Sequence, residues 1–272
     1  MSAKRYAIFL VLLPVLLYAF GTVCCAAGYD AFAVIGDTHV GKAASLYETF
    51  INRIEKEGIQ TVMHVGDAIA TPGDAAEWTR LFEITGNAIT LHIAPGNHDV
   101  NNRRSLAAYL KATGRGPYYS VASKDTLFVF LNTEVPGQEA RIMGRQLAWL
   151  ETELGKGFKH KFVFLHRPLF PTIFGTGYCL DRYPVERDRL HQLFVKHGVT
   201  LVMSGHQHLY NRSEKDGVLY VITGGGGAQL HPFPGDSSGF MHYIVAKKRN
   251  EGYVFSVFDF KGTVRDEFSL RR

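Results

Sequence analysis

Short, dense apolar runs alternate along this chain with longer stretches in which apolar residues recur every three or four positions. Residues 31–35, 61–65, 89–93, 161–165 and 200–203 read as buried strands. Residues 44–57, 77–85, 143–154 and 185–197 carry the helical period between them. Such alternation argues for βα units with largely parallel strands, in which ligands collect beyond the carboxyl ends of the strands. Each of the five apolar runs ends in polar residues at that place: Gly36-Asp37-Thr38-His39, Gly66-Asp67, Gly96-Asn97-His98-Asp99, His166, and Gly205-His206-Gln207-His208. Toward the C-terminus, residues 218–222, 242–246 and 253–258 are strand-like with no long helix between them, and Gly252 and Lys261-Gly262 mark turns. This part is expected to form antiparallel meanders that build or complete a second sheet.

Residues 1–27 have a different pattern. A short basic start at Lys4-Arg5 precedes an uncharged apolar run from Tyr6 to Phe20 and then the small residues of 21–27. That order predicts a secretory signal peptide cut after Ala26 or Ala27, leaving a domain of residues 28–272 in the periplasm or outside the cell. The alternative is an uncleaved N-terminal membrane anchor, since no charge interrupts residues 6–29. With the signal removed, no stable membrane association is expected, and of the three cysteines only Cys179 remains, which suits a buried small apolar residue better than a disulfide.

Composition narrows the class further. The 272 residues are 46% hydrophobic and 20% charged, with 28 glycines and 10 prolines scattered along the chain, which excludes disorder and collagen-like order. Lys4 and Arg5 account for two units of the net charge of +5. The remaining excess of bases is too small to make a clear nucleic-acid footprint.

The strand ends bring forward Asp37, His39, Asp67, Asn97, His166, His206 and His208: carboxylates, an amide and imidazoles without a thiolate. Mixed nitrogen and oxygen donors suit first-row transition metals. Seven side chains exceed one tetrahedral site and fit two ions sharing a carboxylate, about 3.5–4 Å apart in such centres. His64 and His92 lie inside apolar runs and read as core residues, while His160, His191, His197, His231 and His242 read as surface or packing residues.

The ordered motifs GDxH, GD, GNHD, H and GHxH resemble those of the calcineurin-like metallophosphoesterase superfamily, over nearly all of residues 28–272. The resemblance implies a four-layer α/β/β/α sandwich with two mixed β-sheets and a metal site at the carboxyl ends of strands. It implies that Asp37, His39 and His208 hold one ion, that Asn97, His166 and His206 hold a second, and that Asp67 bridges them. The ions implied are divalent or trivalent Mn, Fe or Zn. His98 would stabilise a phosphoryl oxygen or protonate the leaving alcohol, and Asp99 would either orient His98 or cap the following segment.

The activity implied is hydrolysis of small phosphomonoesters or phosphodiesters by a metal-bridging hydroxide. A metal-binding protein without catalysis and a nuclease are the alternatives. Purple acid phosphatases resemble the chain more distantly, at residues 205–212 and 223–227, but carry a tyrosine ligand where this chain has Ala70. Serine/threonine protein phosphatases have Asp-Arg-Gly where Ala70-Thr71-Pro72 stands. Arg103, Arg104, Arg167 and Arg212 lie near motifs and are candidates to pair with phosphate, Arg167 and Arg212 foremost. Residues 171–180 are either a loop over the site or a simple connection. Residues 224–227 are either an anion cradle or a tight turn.

Overall fold

The computed structural model describes residues 29–172, 177–231, 239–250 and 252–271. The expected signal segment and residues 173–176 of the stretch after His166 lie outside the described residues. In chain order, β1 (Ala31–Ile35), α1 (Tyr47–Lys56), β2 (Thr61–His64), α2 (Ala75–Thr85), β3 (Thr90–Ile93) and α3 (Arg103–Thr113) alternate. β4 (Tyr119–Ser123) and β5 (Thr126–Phe130) form a hairpin, followed by α4 (Gly144–Leu154), β6 (His160–Phe164), α5 (Pro184–Lys196) and β7 (Leu201–Ser204). Then come β8 (Tyr210–Lys215), β9 (Val218–Thr223), β10 (His242–Arg249), β11 (Gly252–Asp259) and β12 (Val264–Arg271).

The strands make two six-stranded mixed sheets, ordered β12-β11-β10-β1-β2-β3 and β4-β5-β6-β7-β9-β8. The two-residue period of each strand decides how they stack. Phe32 and Val34 of β1, Phe128 and Phe130 of β5, and Phe162 and Phe164 of β6 pack together between the sheets. Their neighbours Ala33 and Ile35 face the opposite way, onto α1 to α3. Leu127, Val129 and Val163 likewise cover α4 and α5. Both faces of each sheet are therefore apolar, and the result is a four-layer α/β/β/α sandwich. Each phenylalanine taken fully out of water contributes roughly 2 kcal/mol, and edge-on contacts such as Phe32 against Phe128, with centroids 5.4 Å apart, fix their packing.

Two details differ from the reading of the sequence. The meander of β10, β11 and β12 completes the first sheet through antiparallel pairing of β10 with β1, whereas β9 lies parallel to β7 in the second. Local pattern specifies a strand but not its partner, and here the choice rests on a contact between the two ends of the chain. Gly252 begins β11 rather than making a turn. Helix α3, where Arg103 and Arg104 stand, starts at a capping box in which Asn102 and Ser105 satisfy each other's backbone, and ends at left-handed Gly114.

Candidate metal centre

The polar motifs sit where β1, β2 and β3 of one sheet and β6 and β7 of the other end, so the site straddles the two sheets. Asp37, His39, Asp67 and His206 all take left-handed backbone angles, with φ of 57°, 46°, 54° and 66°. Such angles cost about 1 kcal/mol or more each away from glycine and persist where neighbours enforce them. Here the enforcement is visible. Asp37 N–H donates to the Gly66 carbonyl (2.9 Å) and His39 N–H to the Asp67 carbonyl (3.0 Å), while His206 N–H donates to the Asp37 carboxylate (3.1 Å).

Two of the imidazoles are oriented by backbone carbonyls. A carbonyl only accepts, so His166 Nδ1–H donates to Val65 O (3.0 Å) and His208 Nδ1–H to Gln229 O (2.6 Å). Both rings thereby turn Nε2 toward carboxylates: His166 Nε2 lies 3.3 Å from Asp67 Oδ2, and His208 Nε2 lies 3.4 Å from Asp37 Oδ1. His39 Nε2 is buried without a hydrogen-bond partner, 3.5 Å from the same Asp67 Oδ2. His166 Nε2 is also 3.2 Å from Asn97 Oδ1 and 3.2 Å from His206 Nδ1. The structure thus brings together all seven side chains singled out as donors. Asp37, His39 and His208 converge as one group, and Asp67 joins both His39 and His166.

Electrostatics follow from the crowding. Burial works to raise Asp67, but the adjoining His166 and His39 outweigh it and hold the carboxyl well below its ordinary range. Asp37 is lowered in the same way, against its burial, by His208 and His166. Burial would lower His166, yet Asp67 lifts it to about 10. His206 is pushed down to about 3 by burial, with His166 and Arg167 adding to the effect.

The remaining candidates fall in different places. His98 donates its backbone N–H to Asp67 Oδ1 (2.7 Å), and its ring groups with His39 and Asp67, tilted at 35° to the His39 ring with centroids 4.3 Å apart. Asp99, expected either to orient His98 or to cap the following segment, is fully buried with its carboxylate accepting the backbone N–H groups of Ala68, Ile69 and Gly96. It ties two motif loops together and makes no hydrogen bond to His98. Arg212 is a second correction: it pairs with Asp266 of β12 through Nε (2.8 Å) and Nη2 (3.2 Å), and joins the edges of the two sheets rather than lining the site. Arg167 does reach the site, with Nη1 at 3.5 Å from His206 Nε2, but Nε and Nη2 are held bidentate by Glu134 at 2.7 and 2.8 Å. Arg103 and Arg104 are exposed on α3.

Glu134 and His231 were not singled out from the sequence. Glu134 follows the apolar run of β5 as Asn132-Thr133-Glu134, the same apolar-then-polar arrangement that marks the other motifs, and that was its available signal. His231, read as a surface or packing residue, stacks on the His208 ring at 4.4 Å. In residues 224–227, read as an anion cradle or a tight turn, two of the backbone amides are already engaged. The N–H groups of Gly224 and Gly226 are taken by Leu209 O and Gly36 O. His64 and His92 are core residues, each pushed down to about 3 by burial.

Residues 31–210 match the family described as Calcineurin-like phosphoesterase. Among curated proteins, the serine/threonine-protein phosphatase CPPED1 of Homo sapiens is 27% identical over 163 residues, 56% of this chain and 52% of that protein. The phosphoenolpyruvate phosphatase of Allium cepa is 24% identical over 247 residues, 81% of this chain and 49% of that protein. The chain spans about half the length of these curated relatives. A purple acid phosphatase, PPD1, from yellow lupin seeds shares the fold with a TM-score of 0.74 at 19% identity, over 89% of this chain and 53% of that one. The matched span opens on the first residue of β1 and encloses every motif from Asp37 to His208, and the chain belongs to the calcineurin-like phosphoesterase family.

Proposed function

We propose that this protein is an exported, dinuclear metal-dependent phosphohydrolase acting on small phosphomonoesters or phosphodiesters. The observation that carries the reading is Asp67 Oδ2, one carboxylate oxygen standing 3.5 Å from His39 Nε2 and 3.3 Å from His166 Nε2. The donor chemistry fits cations. Around His166 Nε2 lie Asn97 Oδ1, Asp67 Oδ2 and His206 Nδ1, and one proton satisfies only one of these contacts, whereas a cation satisfies all of them. Asp37, His39 and His208 would hold one ion and Asn97, His166 and His206 the other, with Asp67 common to both. When bound, such a pair supplies Lewis acidity toward phosphoryl oxygens and activates water near neutral pH.

The chain's own residues do the rest. His98 presents its ring beside His39 and Asp67 and, when protonated, donates to the departing oxygen. Arg167, fixed by buried Glu134, places positive charge beside His206, where an anionic substrate gains from it. Asp99 holds the loops bearing Asp67 and Asn97 in register.

The test is to strip the purified protein with chelator, reload it with Mn, Zn or Fe, and assay aryl mono- and diesters. Two ions per chain and turnover that returns with them are expected. Full turnover after stripping, or ions bound with no ester cleaved, would sink the reading. In the metal-free state His166, raised to about 10, is protonated at pH 7, so loading expels that proton and apparent affinity rises with pH up to about 10. Binding heats that vary with the buffer's ionisation enthalpy report it. Arg212→Ala is the control: turnover unchanged, with stability lower by about 1 kcal/mol or less as for other partly exposed pairs. Export belongs to the same proposal, and N-terminal sequencing of secreted protein, expected to begin near residue 27 or 28, tests it.

A further inference from the structure

The catalytic group proposed above depends on a contact with the loop just after the second motif. His98 Nδ1 lies 2.7 Å from the carbonyl oxygen of Ala70. Since a carbonyl only accepts, Nδ1 carries the proton, and Nε2 is the ring atom left with the lone pair. The orientation of that carbonyl is set by the planar peptide unit joining Ala70 to Thr71. On the other side of the same unit, Thr71 N–H donates to Glu77 Oε2 at 2.7 Å. Carbonyl and N–H of a trans peptide point in opposite directions, so Glu77 grips one end of the plate that holds His98 at the other.

Further contacts make the grip specific. Glu77 Oε2 also accepts from Ala70 N–H (2.9 Å), and Oε1 accepts from the Thr71 hydroxyl (3.0 Å). Glu77 itself is placed by the first turn of α2, where Asp74 caps the helix by accepting from Ala76 and Glu77 N–H groups. Gly41 lies against its side chain so closely that a Cβ there would stand 2.3 Å from Oε1. Beside this, Asp99 holds the N–H groups of Ala68 and Ile69, so two carboxylates take consecutive amides of the loop after Asp67. A carboxylate accepting the N–H also polarises the peptide and strengthens its carbonyl as an acceptor.

We infer that Glu77 is a positioning residue for His98, fixing through the Ala70–Thr71 peptide both the tautomer and the direction of the imidazole. The inference rests on the function proposed above only for its consequence in turnover, because the tautomer is readable without metal or substrate. The experiment compares wild type, Glu77→Ala and Glu77→Gln by long-range proton–nitrogen correlation of the histidine rings in the metal-free protein, with His98→Ala giving the assignment. Wild type shows His98 as a single Nδ1–H tautomer. Glutamine keeps it, since its carbonyl oxygen still accepts both amides while its NH2 turns to the Thr71 hydroxyl. Alanine leaves Ala70 N–H with the Val40 carbonyl alone and frees Thr71 N–H, and the single tautomer is lost.

In turnover, Glu77→Ala lowers kcat by about ten- to a hundredfold with KM and ion content unchanged, as expected for a misaimed proton donor. Glu77→Gln restores most of it. A His98 ring protonated at Nε2 in wild type would overturn the inference. So would Glu77→Ala that loses only melting temperature while keeping the tautomer and kcat. A tautomer that responds to Glu77→Ala in a protein that cleaves no ester would leave the positioning link standing and remove the proposed function instead.

Discussion

Asp67→Asn is expected to lower phosphoester turnover by about a thousandfold or more, and to reduce the ions bound per chain, without unfolding the protein. Asparagine is the discriminating replacement because Asp67 stands at φ 54°, a left-handed angle that asparagine tolerates and alanine resists. The shape is kept, so the carbonyl of the new amide still accepts from His98 N–H, now 2.7 Å from Oδ1. What changes is the atom shared by His39 and His166. An NH2 group there donates to their Nε2 lone pairs and occupies the positions that cations would need. Asp67 is also what lifts His166 to about 10 against its burial, so the variant's His166 falls and is neutral near pH 7. Metal-free stability near pH 7 should fall somewhat, since the folded state favours the ionised Asp67 beside a protonated His166 and the variant loses that pairing. Ion content by elemental analysis, kcat and thermal melting are measured together. Wild-type turnover with both ions in place would refute the shared role of Asp67.

The parts legible in the sequence are those whose signal is local. A strand buried on both faces shows as an unbroken apolar run, and a strand end carrying glycine, aspartate and histidine shows as a break in it. Hence β1, β2, β3, β6 and β7, and the seven side chains that converge, could be read in advance. Strand β8, with its exposed Ser213-Glu214-Lys215, and β12 of the open sheet edge bury too little apolar surface to show a run. Strand β5 did have the run and the polar ending, but Asn132-Thr133-Glu134 lacks the glycine and histidine that drew notice to the others. Arg167 and Arg212 looked alike in sequence, each beside a motif. Their fates were decided by Glu134 and Asp266, 33 and 54 residues away. Glu77 reads as an ordinary first-turn acid of α2, and only the approach of residues 70–71 reveals its second contact.

Gly96→Ala is expected to be severely damaging. The added Cβ would stand 2.2 Å from Asp67 Oδ1, 2.4 Å from Asp67 N and 2.9 Å from His166 Cγ. None of these atoms ends a flexible side chain. Asp67 is pinned through His98 and its left-handed backbone, and His166 through Val65 O, so relief requires moving the third motif loop away from the second. That motion also breaks Gly96 N–H to Asp99 Oδ2 (2.8 Å) and the bonds from Asp99 and Val100 N–H to Gly96 O. Overpacking of this kind is expected to cost about 3 kcal/mol or more, and any folded fraction should bind ions weakly because Asn97 and Asp67 no longer converge. Gly58→Ala separates this from the general effect of removing a glycine. Gly58 has φ 69° and nothing within 4 Å of the added carbon, so its cost is backbone strain of about 1–2 kcal/mol with ion binding untouched. Equal melting temperatures for the two variants, with both ions retained in Gly96→Ala, would show that the loops can separate and that the close approach is dispensable. The opposite result places the requirement for glycine in the chemistry of the site: two donor-bearing loops must come nearer than any side chain at position 96 allows.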